Sequence, residues 1–154
     1  MKIQKFNELQ NIDRLSKIIF INFFHLQGQP DINFSIDDIY STLKSDKLLG
    51  WFLLNSKNKI VGYMIGETKE LADGRYIYYL SYFYIVEKYR SKGIGYQMML
   101  NMINYISSIN IRFILLTSEV KSNGFKLYKK IGFSDDPVIK LNNPDFTVLL
   151  YYTF

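Results

Sequence analysis

The sequence contains no cysteine. Disulfide stapling, a thiolate nucleophile and thiolate metal sites are therefore excluded. His25 is the sole histidine, so one chain cannot build a two-histidine metal centre. A carboxylate Mg²⁺ site would need a compact Asp/Glu cluster, and the sequence shows none. Three prolines are too few for an extended proline-rich linker. The apolar run from Ile18 to Phe24 is interrupted by Asn22 and is far too short to span a bilayer. Met1-Lys2-Ile3-Gln4-Lys5-Phe6 lacks the basic, apolar and small-residue order of a signal peptide. A soluble cytoplasmic protein with no membrane partner is the expectation.

What is present is apolar mass. The chain has 154 residues, 48% hydrophobic and 17% aromatic. That suits one compact domain over residues 1–154 with a continuous core. Nineteen basic and 14 acidic side chains leave a formal charge of +5. Such a charge favours anionic partners only modestly. Apart from Lys121, Lys126, Lys129 and Lys130 the cations are scattered, so no nucleic-acid stripe is defined and nucleic acid is not expected as a partner.

Periodicity orders the elements. Lys2 to Phe6 reads as a first strand. Leu9, Ile12, Leu15, Ile18 or Ile19, and Phe23 approximate a helical face over residues 9–24, which Gly28-Gln29-Pro30 breaks. Ser35 before Ile36-Asp37-Asp38 predicts a capped second helix through Leu43. Trp51 to Leu54 and Lys59 to Glu67, joined by Asn55-Ser56-Lys57-Asn58, predict a β-hairpin. Asp73-Gly74 marks a turn before a strand from Arg75 to Val86. Its six aromatics on both faces imply covering by helices or a ligand. Strict alternation sends Tyr82 and Tyr84 to the face opposite Phe83 and Ile85.

A basic glycine loop, Arg90-Ser91-Lys92-Gly93-Ile94-Gly95, then leads into a helix reaching about Ile109. Its apolar stripe is Ile94, Met98, Met102, Ile106 and Ile109. Arg112 to Thr117 reads as a strand and Gly124 to Lys130 as a short helix ended by Gly132. Asn142-Asn143-Pro144-Asp145 separates two final extended segments. This order predicts an α/β domain (α+β in some schemes) with a mixed central sheet flanked by helices.

The loop is the sharpest local signal. A helix starting near Gly93 presents N–H groups without intrahelical acceptors, and two glycines permit close approach of a ligand. Together with Arg90 or Lys92 they suit pyrophosphate oxygens. The segment satisfies neither the Walker pattern nor the full dinucleotide fingerprint.

Arg90-Ser91-Lys92-Gly93-Ile94-Gly95 resembles the R/Q-x-x-G-x-G/A cofactor motif of the GCN5-related N-acetyltransferase (GNAT) family. Phe83 to Arg90 resembles the strand and loop before that motif. Gly124-Phe125-Lys126-Leu127-Tyr128-Lys129-Lys130-Ile131-Gly132-Phe133 resembles the family's later Ala-x-x-Leu-Tyr-x-x-x-Gly-Phe region. The resemblance implies acetyl-coenzyme A as cofactor, with the pyrophosphate on residues Arg90, Ser91, Lys92, Gly93, Ile94 and Gly95. It places the pantetheine arm along Phe83, Ile85 and Val86. It implies a V-shaped gap between this strand and the next parallel one, with the cofactor on one side and an amine on the other. Tyr128 is then the residue that donates a proton to, or hydrogen-bonds, the leaving sulfur. Glu87 stands where the family commonly has proline, Gly124 replaces the usual alanine, and Lys121 aligns with an asparagine, leaving Asn123 as a nearby cofactor contact.

A neutral amine must attack the thioester, and without cysteine a direct transfer in a ternary complex is expected. The strand from Tyr79 to Val86 has no carboxylate, so Glu67 and Glu119 are the candidate general bases. His25 is read as structural, with a substrate-side base as the other reading. Tyr79, Ser81, Tyr82 and the Phe23-Phe24 region are candidates for the acceptor wall. The acceptor is an amine-bearing small molecule or a peptide. A homodimer is compatible with the fold, although no heptad or interface signature marks one. A noncatalytic acetyl-coenzyme A sensor or protein-interaction module of the same fold is the alternative, and it requires no open amine channel.

Overall fold

The computed structural model describes all residues from Met1 to Phe154. The chain opens with strand β1 (Lys2–Lys5) and helix α1 (Ile12–Asn22), followed by a single 3₁₀ turn at Phe24–Leu26. The helix is shorter than its apolar spacing predicts. Asn11 caps it in the left-handed region, its side chain accepting from the Arg14 N–H, so Leu9 lies outside. Helix α2 (Ile36–Leu43) starts where expected, and the Ser35 hydroxyl accepts from the Asp38 N–H at 3.1 Å.

Strands β2 (Leu48–Leu54), β3 (Ile60–Glu70) and β4 (Tyr76–Ile85) form an antiparallel meander. Asn55 shapes the first turn, its side-chain oxygen accepting from the N–H groups of Lys57 and Lys59. Gly74, at φ 91°, makes the second. Helix α3 (Ile94–Ser108), β5 (Phe113–Glu119), helix α4 (Asn123–Ile131), β6 (Ser134–Asp135) and β7 (Phe146–Tyr152) complete the chain. The first of the two closing segments forms only a two-residue strand. Ile109 falls past the end of α3 and is exposed, so the buried stripe stops at Ile106.

The strands make one mixed sheet in the order β1-β2-β3-β4-β5-β7-β6. Every pairing is antiparallel except β4 with β5, which is parallel and short: it runs from Ile77/Phe113 to Leu80/Leu116. On one face α3 and α4 cover a core that includes Tyr78, Leu80, Met98, Met102, Ile114 and Leu116. The other face is divided. Helices α1 and α2 pack Ile19, Phe34 and Ile39 over Tyr63, Ile65 and Tyr82. A smaller cluster of Ile77, Leu115, Val148 and Leu150 lies under Ile139 and Leu141 of the β6–β7 loop. No helix is long and apolar enough to cross a membrane.

A register shift between β3 and β4 decides how the strand faces are dealt out. Ile65 pairs with Tyr82 and Gly66 with Leu80, so Ser81 is an unpaired bulge. Gly66 makes the bulge possible. A Cβ there would lie 2.2 Å from the Tyr79 carbonyl oxygen and 2.6 Å from the Tyr78 ring, distances no side chain can occupy. The extra residue resets the alternation. Tyr78 and Leu80 face α3, and so do Phe83 and Ile85 beyond the bulge, whereas Tyr79 and Tyr82 share the opposite face.

The β6–β7 loop is tied to the start of β4 by a buried ion pair. Asp136, wholly buried, accepts from both terminal nitrogens of Arg75 at 2.6 and 3.0 Å and from the Ile139 N–H at 2.7 Å. Arg75 also reaches Asp73 at 2.7 Å. Burial alone would raise the Asp136 carboxyl, but the hydrogen bonds from Arg75 and from the Ile139 and Val138 N–H groups hold it below the usual carboxylate range. Removing one member of such a pair leaves the other buried without compensation. Asp136→Asn is expected to cost about 3 kcal/mol in chemical denaturation at neutral pH. A depressed pKa contributes stability above the unfolded value near 4 and loses it as pH falls through the folded value. The gap between the variant and the native protein should therefore narrow below about pH 4.

Candidate active site

Past Leu80 and Leu116 the parallel strands stop pairing, and a gap opens between the end of β4 and the end of β5. The Tyr79 hydroxyl hydrogen-bonds the Thr117 hydroxyl across the two strands at the apex of this fork. A cavity of about 900 Å³ occupies the gap. On the α3–α4 side its lining includes Phe83, Ser122, Gly124 and Tyr128; on the α1–α2 side it includes Glu67, Tyr79, Tyr82, Thr117 and Glu119. The walls of the two halves come from different elements, so the cavity passes through the plane of the sheet.

On the first side, β4 carries unpaired backbone groups. The Val86 N–H donates to the Val61 carbonyl at 2.9 Å, which aims the even-numbered groups of this stretch at β3. The two-residue alternation of the ladder then turns the backbone groups of Phe83 and Ile85 into the gap. Val86 differs from the expectation: its N–H is occupied by β3 and its side chain is exposed. Arg90 folds back on the strand, its Nε donating to the Ile85 carbonyl at 2.5 Å and its guanidinium lying 5.0 Å from the Tyr84 ring centroid. It braces the loop more than it projects a free cation.

Beyond Arg90, the N–H groups of residues 91–96 make no backbone hydrogen bond. Ser91, at φ 62°, and Gly93, at φ 77°, curl the chain so that this row of donors precedes α3. A Cβ on Gly93 would meet nothing within 4 Å, so the space in front of it is open. Such a row at a helix start is an anion cradle. Gly95 plays a different part: a Cβ there would meet Leu127, Phe83 and Ile85 at ordinary contact distances, so it faces the core and not the open space. Residues 90–95 lie outside the cavity proper, as do Ile85 and Val86. Asn123 is also outside it and is exposed. Ser122 is the residue that caps α4, accepting from the Phe125 N–H at 3.1 Å and donating to the Glu119 carbonyl at 2.8 Å.

Tyr128 is half-buried, with its ring against Phe133 at a centroid distance of 5.8 Å. No protein group hydrogen-bonds its hydroxyl, and burial pushes the phenol above its ordinary value. It is a protonated donor left unused by the fold. Gly124 sits one turn before it, and a Cβ there would touch the Tyr128 ring at 3.4 Å, an ordinary contact. The alanine usual at this position would fit.

The comparisons agree with this layout. Residues 48–135 match the model of the acetyltransferase (GNAT) domain. The chain belongs to the GNAT acetyltransferase family. Over half of its length lies in the matched region, which runs from β2 to β6 and includes the loop, the fork and Tyr128. The GNAT fold also extends to the remainder. Arabidopsis thaliana NAA60 in complex with acetyl-CoA shares 17% identity at a TM-score of 0.69, covering 98% of each chain. Tetrahymena GCN5 shares 14% at 0.71, covering 100% of this chain and 97% of its own. An aminoglycoside 6'-acetyltransferase type Ii shares 14% at 0.73, covering 100% and 98%. No curated protein matches the sequence.

The α1–α2 side of this GNAT domain holds contacts that join residues far apart in the sequence. His25 Nε2 lies 2.7 Å from Glu119 Oε1, joining the turn after α1 to β5. Both side chains are substantially exposed, at 59% and 37%, so the pair contributes little to stability. Asp31 accepts from the N–H groups of Asn142 and Asn143, and Asn143 donates to the Pro30 carbonyl at 3.0 Å. The α1–α2 segment is thus strapped to β5 and to the β6–β7 loop, over the cavity. Glu67 is half-buried in the cavity wall and takes part in none of the ion pairs of the protein. Phe23 lines the cavity, whereas Phe24 points to solvent.

The loop's fit to an anion depends on its left-handed residues. Gly93→Ala has room for its methyl group but must hold φ 77°, which costs about 1 kcal/mol for an L-residue. Calorimetry with coenzyme A should show binding weakened by roughly five- to tenfold.

Proposed function

We propose that residues 1–154 act as one acetyl-coenzyme A-dependent N-acetyltransferase unit, transferring the acetyl group directly to a primary amine in a ternary complex. The observation that supports this best is the cavity passing through the fork between β4 and β5, with the Tyr128 donor on one side and carboxylates on the other. A sensor of the same fold has no need of a second opening.

The free N–H groups of residues 91–96 fit the pyrophosphate, with Arg90, Ser91, Lys92, Gly93, Ile94 and Gly95 as the binding loop. Phe83 and Ile85 offer main-chain groups to the pantetheine arm, and Asn123 stands at its edge. Bound there, the cofactor supplies an acetyl thioester.

Glu119 is the stronger of the two candidate bases. It stands on β5, a strand that borders the fork, whereas Glu67 is on β3, one strand removed. The Glu119 carboxylate takes the proton that the ammonium must lose, and His25, bonded to it and open to solvent, passes the charge outward. As the N–C bond forms, the nitrogen sheds its second proton to solvent; as the C–S bond breaks, the Tyr128 hydroxyl gives its proton to the departing sulfur and regains one from solvent. A phenol whose pKa is raised remains a donor throughout neutral pH.

The decisive assay incubates the protein with acetyl-coenzyme A and a panel of primary amines, following free thiol and product mass. Tyr128→Phe is expected to lower kcat by about a hundredfold while coenzyme A affinity stays close to native. Unchanged turnover would remove Tyr128 from the chemistry. Glu119→Gln should likewise lower kcat while coenzyme A affinity stays close to native, a split that a purely structural role would not produce.

A further inference from the structure

The amine-facing half of the cavity has a charge opposite to that of the molecule. The chain carries +5, yet Asp31, Asp38, Glu67 and Glu119 all line this half, against Lys69 and His25. Two of the four carboxylates are already engaged. Asp31 accepts from the Asn142 and Asn143 N–H groups, and Glu119 holds His25. Asp38 accepts only the Ser35 hydroxyl, at 2.9 Å, and Glu67 has no ion-pair partner.

Asp38 and Glu67 come from different elements but converge on one side chain. Burial, then the Asp38 charge, with a smaller part from Glu67, push the Tyr82 phenol up against a lowering hydrogen bond with Thr42. Geometry agrees: Asp38, Glu67 and Tyr82 line the same cavity, and the ladder puts Glu67 two residues beyond Ile65, the partner of Tyr82. Lys69, the one lysine in this lining, is in no ion pair with them, and its ammonium sits 4.6 Å from the Tyr79 ring centroid. A half-buried carboxylate without a counter-charge is costly unless a ligand supplies one. Next to it, Phe23, Phe34, Leu26 and Ile32 offer apolar wall. The His25–Glu119 and Asn143–Pro30 contacts carry residues 25–31 alongside this space.

Resting on the acetyltransfer reading above, we infer that the acceptor is a linear aliphatic amine with a second ammonium group. Glu67 and Asp38 hold the distal ammonium around Tyr82, the methylene chain lies on the aromatic wall, and the other nitrogen faces the fork beside Glu119. Glu67 is then a specificity-determining residue. Its carboxylate selects the acceptor, and its loss acts on discrimination between substrates.

The test compares putrescine with butylamine, equal in carbon chain and different by one ammonium. A hydrogen bond to a charged group is worth enough for roughly a 10- to 100-fold preference in kcat/KM for putrescine by the native enzyme. Glu67→Gln should collapse that ratio towards unity, chiefly through the KM for putrescine, and Asp38→Asn should reduce it in the same direction. Three results would overturn the inference: no native preference, a ratio that Glu67→Gln leaves intact while both rates fall together, or a peptide carrying lysine at its second position being acetylated with a higher kcat/KM than putrescine. If no amine is acetylated at all, the acetyltransfer reading has failed, and the acceptor site is read directly by calorimetry of putrescine into the coenzyme A-loaded protein. Binding that Glu67→Gln weakens at least tenfold would still support it, and absence of binding would overturn it.

Discussion

The fork between β4 and β5 opens where β4 bulges: its last pair with β5 is Leu80–Leu116, next to the bulge. Gly66 admits the Tyr79 carbonyl where any side chain would exclude it, and Ser81 becomes the unpaired residue. From that point β4 follows β3 alone, and the backbone groups of Phe83 and Ile85 face no strand. Unpaired backbone inside a sheet is normally a liability, since each lost hydrogen bond carries a desolvation cost. Here the same groups form the edge that an extended ligand can complete in place of a strand. The loop before α3, the fork and the cavity thus all lie at the end of β4 that follows the bulge.

Electrostatics sorts the two sides of that edge. The α3–α4 side offers main-chain donors, the positive end of a helix and nearby lysines, and so favours anions. The α1–α2 side gathers carboxylates and aromatic rings. A net charge for the whole chain conceals this division, because the 19 cations are mostly elsewhere on the surface. The buried Arg75–Asp136 pair has another part to play. It fixes the base of the β6–β7 loop, so that the loop presents Ile139 and Leu141 to the cavity and its far end to Asp31.

Much of this could be read from residue order. Ser35, Asn55, Gly74 and Gly132 announce their turns and caps by chemistry that acts within a few residues, and each does so in the folded chain. The glycine loop and the Leu-Tyr segment, being local, were equally legible. The bulge was not, because alternation assumes one residue per step. On that assumption Tyr79 and Tyr82 would fall on opposite faces, yet they line one wall. A glycine within an otherwise apolar strand was the available sign. The role of Arg90 as a brace and the engagement of the Val86 N–H depend on contacts with a neighbouring strand. The meeting of His25 with Glu119 spans most of the chain, and no periodicity encodes it. Asn123, two residues past the position where the motif aligns Lys121, opens α4 as an exposed residue, and Ser122 caps the helix.

The division of the α1–α2 face into two separate apolar clusters has a further meaning for how this protein can change. The cavity between them is walled by both, since Phe23, Leu26, Ile32 and Tyr82 belong to one cluster and Tyr79, Ile139 and Leu141 to the other. The loop before α3 and Tyr128 rest instead on the opposite, continuous core. A substitution that reshapes the cavity wall therefore draws on the stability of two small clusters, while the core behind the loop and Tyr128 is left as it is.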